Sequence, residues 1–457
     1  MTTISTWKCD VCGYVHKGAA PPEHCPVCSA GAEMFSPLDV GVLAPAPIES
    51  SATAAANRTI AIIGAGVAGV SAAEQARATD PGASIALFSG EPDLPYLRLN
   101  LTRLLAREVD EASLLLQPRG WFAQQRIELV HDRVAAIDCR AHKLILQSGN
   151  SQRYDRLVLA NGAHPFVPPL PGVARRNVMP LRSKAQALEL LRLATRGPRI
   201  VCLGGGLLGL EAAGALARHG AQVTVLENYG WLLPRQLAEP AGKLLIGHVE
   251  RQGIAVRCSV RVEEIVGDEE VAGVRLAGGE EIPADVVLLA TGVRPNATLA
   301  RRAGLEVKAG VRVDDRLATS DADIFAAGDV AEHRGVVPGI WPTAYAQGVV
   351  AGANAAGANA EYRPLPPSNQ LKVLAVNLFS IGEVAPGDAS SRVFEQTRDD
   401  IYFRLVCRGG VLVGANLYGD VALASTIKKA VEQRTPLVDV APLHQRFPEL
   451  STVVGMG

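Results

Sequence analysis

Four cysteines near the amino terminus and two glycine-rich turns further on are the residues of this 457-residue chain whose types and spacing could do chemistry. Cys9 and Cys12 form one C-x2-C pair, Cys25 and Cys28 a second, with residues 13–24 between them. Four thiolates drawn into a tetrahedron hold one metal ion, and an all-sulfur site suits iron and zinc alike. A segment this short cannot fold on an apolar core alone, so the metal would also be its staple. Two disulfides are the other use of such pairs, and those belong to oxidising compartments. Cys139, Cys202, Cys258 and Cys407 are scattered and read as buried thiols.

The first glycine-rich turn, Gly64-Ala65-Gly66-Val67-Ala68-Gly69, follows the apolar run 60–63 and opens an Ala-rich helix over 70–78. A run without polar interruptions predicts a strand buried on both faces. In G-x-G-x-x-G the first glycine makes the turn, the second lets backbone approach a pyrophosphate, and the third packs helix on strand. The helix then points free N–H groups and a positive dipole end at the anion. A second copy, with Gly204, Gly206, Leu207 and Gly209, follows the run 200–203. Two such units imply two dinucleotides. In the second, the strand 222–226 ends in Glu227, whose carboxylate would accept from both ribose hydroxyls and repel a 2′-phosphate. NADH is therefore expected in preference to NADPH. In the first, the strand 84–88 ends in Ser89, with Glu91 close behind, and either could reach a ribose. The stretch 93–105 combines a Pro-Tyr step with Arg98 and Arg103, which suits cradling an anion or forms a solvated basic turn.

These residues need elements to hold them. A chain of this length is too long for one core, and its near-zero net charge of -1 gives no electrostatic reason to expect nucleic acid as a partner. No apolar stretch is long enough for a membrane span and no signal segment leads the chain, so a cytoplasmic protein is expected. Residues 38–57 are rich in Pro, Ala and Ser and read as a flexible linker, with an r.m.s. span of roughly 25 Å if unstructured. Such a tether keeps a small domain at an effective concentration on the order of millimolar. The strand-and-turn ending Ala160-Asn161-Gly162 is echoed at Ala290-Thr291-Gly292, which argues for duplicated architecture. Beyond residue 365, β-like runs at 371–381, 401–407 and 411–417 and a helical stretch at 421–432 predict an α+β domain.

The residues Trp7-Lys8-Cys9-x-x-Cys12-Gly13-Tyr14-Val15-His16, Pro21-Pro22-Glu23-x-Cys25-Pro26-Val27-Cys28 and Phe35 resemble the rubredoxin-like domains of rubrerythrins, which implies iron on Cys9, Cys12, Cys25 and Cys28, with zinc as the alternative. The order of the two glycine-rich turns, the two Ala-x-Gly echoes and Gly328-Asp329 resembles the two-dinucleotide flavoproteins of the disulfide-reductase family, within it the rubredoxin, ferredoxin and nitrite-reductase-type NADH reductases. The resemblance implies an α/β fold with two Rossmann-like domains, one nested in the other, a metal knuckle and a C-terminal α+β interface domain. Its boundaries would be 1–37 for the knuckle, 58–167 with 286–364 for FAD, 168–285 for NAD and 365–457 for the last domain. FAD would contact residues 64–69, Ser89, Glu91, Arg98, Arg103, Val134, Ala160, Gly328 and Asp329. NADH would contact Gly204, Gly206, Leu207, Gly209, Glu227 and Gly292.

The chain departs from that pattern in three places. No cysteine lies between Cys28 and Cys139, which excludes dithiol chemistry beside the flavin. Asn161 stands where the family usually has threonine. Arg103 and Glu211 match a lysine–glutamate pair near flavin N5 and are the expected catalytic pair. The implied function is NADH-dependent electron transfer through FAD to an iron centre and on to a protein acceptor. A zinc knuckle that docks a partner reductase, and a non-catalytic redox sensor, are the alternatives.

Overall fold

The computed structural model describes residues 5–9, 14–26, 30–37, 58–364, 366, 368–385, 390–448 and 450. It divides into two compact units, Met1–Leu99 with Glu111–His164 and Val293–Pro364, and Asn100–Asp110 with Pro165–Gly292 and Leu365–Gly457. The linker 38–57, and Cys12 and Cys28 of the knuckle, lie outside the described residues.

The first unit is built on a five-stranded parallel sheet in the order Ile324–Ala326, Arg156–Leu159, Thr59–Ile63, Ser84–Phe88, Ile127–Val130. Its central strand explains its own sequence: Ile60 and Ile62 face one core with the helices Val67–Thr79 and Trp341–Ala355, while Ala61 and Ile63 face a second core with the meander Val134–Asp138, Lys143–Leu146, Ser151–Arg153. Burial on both faces removes any need for polar alternation. The two helices meet almost backbone to backbone. A side chain at Gly348 would lie 2.3 Å from the carbonyl oxygen of Ala68, and one at Gly352 would lie 2.2 Å from that of Ala72. The knuckle adds a three-stranded antiparallel sheet in which Ser5–Cys9 lies between Val15–Gly18 and Phe35–Pro37.

The second unit repeats the plan. Its parallel sheet runs Val178–Pro180, Val286–Leu289, Arg199–Leu203, Gln222–Leu226, Ala255–Arg257. The segment Asn100–Asp110, drawn from sequence into the flavin domain, belongs to this unit because the helix Leu101–Leu105 packs on the helices Lys184–Ala194 and Leu207–Arg218. The carboxyl-terminal part is a five-stranded antiparallel sheet covered by the helix Ala424–Gln433, with Phe379, Phe403, Leu417 and Ile427 in its core. The run 371–381, read as one strand, is two strands, Ser368–Val373 and Val376–Gly382. They turn at Leu374 and Ala375, where φ is +48° and +72°. Neither residue type signals such a turn, since both pay a steric cost there. Asn416, fully buried, ties this sheet to the 236–238 loop by accepting from Ala238 N–H at 3.0 Å and donating to Gln236 C=O at 3.0 Å. Among the described residues no helix is long and apolar enough to cross a membrane.

Candidate functional site

In the first unit the chain leaves the central strand at Gly64, which holds φ at +106° beneath the carbonyl of Ala160. A Cβ at Gly64 would lie 2.3 Å from that oxygen, and one at Gly69 would lie 1.8 Å from the oxygen of Gly64. Gly66 differs from both: a side chain there would meet nothing within 4 Å, and as the cap of the helix Val67–Thr79 it offers no side-chain acceptor to the first N–H groups. The helix start is thus open and unpaid, with Ala65 and Val67 half-buried beside it and Ala68 buried behind it. This is a cradle for an anion.

Gly328 and Asp329 close on the same place. Gly328, at φ +78°, would bring a side chain to 2.9 Å from Ala68 Cβ, and its N–H donates to Gln347 Oε1 at 2.8 Å. Gln347 is fully buried and its Nε2 has no protein partner. Asn161, next to Ala160, donates from Nδ2 to the carbonyl of Asn296 at 2.9 Å, while its Oδ1 is buried without a protein partner. Buried polar groups left unpaired cost free energy, so Gln347 Nε2 and Asn161 Oδ1 beside the glycine turn fit a site that a polar, planar cofactor completes. Gln347 was not singled out from sequence, although a glutamine inside a helix of small apolar residues is a legible signal.

The remaining expected flavin contacts are placed differently from one another. The Ser89 hydroxyl donates to the Glu91 carbonyl at 2.9 Å and accepts from Glu91 N–H at 3.2 Å, closing a local turn. Both carboxylate oxygens of Glu91 are engaged, one by Tyr96 Oη at 2.6 Å and one by Arg98 at 2.5 Å, and the Arg98 guanidinium lies over the Tyr96 ring. The basic loop is therefore an internally paired cluster rather than a set of free cations. Val134 is buried in the second core, so its side chain serves packing and any cofactor contact falls to its backbone.

The second unit reproduces the turn. A Cβ at Gly204 would lie 2.5 Å from the oxygen of Ala290, one at Gly209 would lie 2.1 Å from the oxygen of Gly204, and Gly206 faces open space ahead of the helix that begins at Leu207. Gly292 is exposed, and its carbonyl accepts from Phe166 N–H at 2.8 Å. Glu227 is buried and stands beside the turn, held by Gly205 N–H on one oxygen at 2.8 Å and by Tyr229 N–H on the other at 2.9 Å. A carboxylate fixed by two backbone donors keeps lone pairs for ribose hydroxyls and presents no cation to a 2′-phosphate. Glu227→Ala is expected to cut the NADH over NADPH ratio of kcat/KM by about tenfold or more. An unchanged ratio in paired steady-state assays would remove Glu227 from the choice.

The expected Arg103–Glu211 ion pair takes another form. Glu211 accepts a hydrogen bond from Thr102 Oγ1 at 2.8 Å, and Arg103 pairs with Glu108 at 3.5 Å, which Arg218 shares at 2.9 Å. Burial pushes the Glu211 carboxyl up from its ordinary range; the Thr102 hydrogen bond opposes the rise, Glu108 adds to it and the charge of Arg103 weakens it.

In the knuckle, Cys9 N–H donates to Tyr14 C=O at 2.8 Å and Cys25 N–H to Ala30 C=O at 2.7 Å. Cys9 and Cys25 are both buried, and each donates to the carbonyl five residues further on. Two C-x2-C pairs offer four thiolates, the donor set of a tetrahedral metal. The scattered thiols are not activated: burial raises Cys139, and lifts Cys202 to about 12 and Cys258 and Cys407 to about 11.

Residues 58–348 match the family model of the pyridine nucleotide-disulphide oxidoreductases, residues 367–435 that of the rubredoxin NAD+ reductase C-terminal domain, and residues 7–36 that of the rubrerythrin rubredoxin-like domain. The chain is 30% identical over 385 residues to an NADH-rubredoxin oxidoreductase of Clostridium acetobutylicum, across 84% of this chain and 97% of that one. It is 32% identical over 391 residues to a nitrite reductase of Bacillus subtilis, but spans only 48% of that longer protein. The ferredoxin reductase for the CYP199A2 system of Rhodopseudomonas palustris superposes with a TM-score of 0.76 at 30% identity, across 83% of this chain and 96% of that one.

Proposed function

This chain belongs to the pyridine nucleotide-disulphide oxidoreductases, and from that premise we propose that it is an NADH-dependent electron-transfer flavoenzyme whose tethered knuckle passes electrons to an external protein acceptor. The reading is carried by the duplicated turn: two open helix starts, each beneath an Ala carbonyl, supply two dinucleotide cradles in one chain. When bound, FAD would supply a carrier able to accept a hydride from NADH and to pass its two electrons on one at a time.

The protein's own part is positional. Residues 64–69, Gly328, Asp329, Asn161 and Gln347 would hold the flavin, and the open N–H groups of the helix Val67–Thr79 would face its pyrophosphate. Gly204, Gly206, Leu207, Gly209, Glu227 and Gly292 would hold and select NADH. Thr102 fixes Glu211, and Arg103 with Glu108 and Arg218 forms the charged surround of that carboxyl. Cys9 and Cys25, with Cys12 and Cys28, would ligate iron, which cycles by one electron, whereas zinc there would make the knuckle a docking module. A cytoplasmic site of action is in keeping with the unpaired thiols of Cys139, Cys202, Cys258 and Cys407.

Anaerobic titration with NADH tests the reading. Flavin and knuckle absorbances, followed separately, should both fall, with metal analysis returning about one iron per chain, as four thiolates hold a single ion. Flavin bleaching beside a redox-silent knuckle would sink the relay and leave the docking module standing.

A further inference from the structure

One apolar cluster in the first unit belongs to neither nucleotide cradle. Cys9, Cys25 and Phe35 of the knuckle share a buried core with Leu97, which is 3% exposed, and Trp7, Tyr14, Ala30, Leu116 and Trp341 pack against it. Leu97 and Leu116 are not on a loose loop. Leu97 N–H donates to Leu114 C=O at 2.7 Å, Leu116 N–H donates to Pro95 C=O at 2.9 Å, and Tyr96 bridges Leu115 between them. This short antiparallel ribbon sets the two leucines as diagonal neighbours on one face. Trp341 is the first residue of the helix Trp341–Ala355, and one turn later Ala344 touches the place where a side chain of Gly328 would stand, at 3.6 Å. The cluster therefore abuts the end of the helix that also lines the candidate flavin cradle. Burial raises the Tyr345 phenol in the same turn, with Glu74 and the knuckle's Tyr14 adding to the rise.

We infer that Leu97, Leu116 and Trp341 form a docking seat for this chain's own N-terminal knuckle, holding the face that carries Cys9 and Cys25 against the end of the flavin cradle. The inference rests on the proposed flavin-to-knuckle relay and specifies its delivery contact. The occupant is fixed by what fills the seat: two thiols and Phe35 leave Leu97 with almost no exposure, a fit that a charged or hydrated surface could not give. Because knuckle and seat belong to one chain, the contact is intramolecular and need not be tight to be occupied. Electron delivery to the knuckle is then intramolecular, and its rate is independent of protein concentration.

The test uses the full-length, metal- and flavin-loaded protein carrying Leu116→Glu, with Leu116→Met as the conservative variant. Hydroxyl-radical footprinting reads the seat directly: modification of Leu97, Phe35 and Trp341 should rise by about threefold or more in Leu116→Glu, while Trp121 and Trp231 keep the unaltered protein's rates, since a buried charge expels its apolar neighbours. After mixing with NADH, flavin bleaching should stay within about twofold, and knuckle bleaching should slow by about tenfold or more, the loss of pre-arranged proximity. Leu116→Met should restore both. If Leu116→Glu loses its flavin on folding, Leu116→Ala carries the same comparison with a smaller change in the same direction. An unaltered footprint, a raised footprint without slower knuckle bleaching, or a wild-type knuckle rate that scales with protein concentration overturns the seat. A knuckle that never bleaches even in the unaltered protein overturns the relay instead, and the footprint still decides whether the seat exists.

Discussion

Gly69→Val is expected to purify without flavin colour. A Cβ at this position would stand 1.8 Å from the oxygen of Gly64, a distance no side-chain rearrangement can relieve because the obstacle is backbone. Gly64 cannot retreat either, since it is confined beneath the Ala160 carbonyl at φ +106°. The strand, the turn and the helix start would have to separate, and with them the cradle. FAD affinity should fall by about a hundredfold or more, equivalent to roughly 3 kcal/mol. Gly66→Ala is the matching control, because its Cβ meets nothing within 4 Å and φ is -80°. That variant should keep the melting temperature of the flavin-free protein while still weakening FAD, since its methyl group occupies the approach of the pyrophosphate. Equilibrium dialysis and thermal melts on both variants settle the matter, and full flavin content in Gly69→Val would refute the placement.

Cys25→Ser should strip the knuckle of its metal altogether. Among the described residues the knuckle's buried core consists of Cys9, Cys25 and Phe35, with Leu97 supplied by the seat, so thiols make up most of it. Metal binding of about 10–16 kcal/mol in small thiolate sites is the folding energy of the module, and a segment of this size has nothing with which to replace it. The visible absorbance of the knuckle should vanish and metal analysis should return close to none per chain. Flavin bleaching by NADH should persist at the rate of the unaltered protein to within about twofold, because none of the residues expected to hold FAD or NADH lies in the knuckle. Retained metal in Cys25→Ser would mean that Cys25 is not a ligand.

The parts of the molecule that follow from short-range chemistry were legible. The unbroken run before Gly64 announces a strand buried twice over, and the echo of 160–162 at 290–292 announces the duplication. What could not be read is which carbonyl each glycine lies beneath, because Ala160 and Ala290 reach Gly64 and Gly204 only through sheet pairing. The resemblance points to Arg103 as the partner of Glu211, and the hydroxyl of Thr102, one residue earlier, makes a hydrogen bond to that carboxyl. Glu91, expected at a ribose, and Arg98, expected at an anion, are spent largely on each other. Leu97, Leu116 and Trp341 are distant in sequence and ordinary in type, and only the ribbon and helix that carry them reveal a common face.

The near contact of Gly348 and Gly352 with Ala68 and Ala72 bears on how the protein comes into being. A ribosome delivers the helix Val67–Thr79 early and its partner Trp341–Ala355 only after all of 165–292 has emerged. Two helices that fit this closely have no substitute for each other, so the first must wait, with its apolar side uncovered, while the interposed segment folds ahead of it. Flavin capture is consequently a late event in biogenesis, and a nascent chain stalled short of residue 341 would be colourless however much of the first glycine turn it already contained.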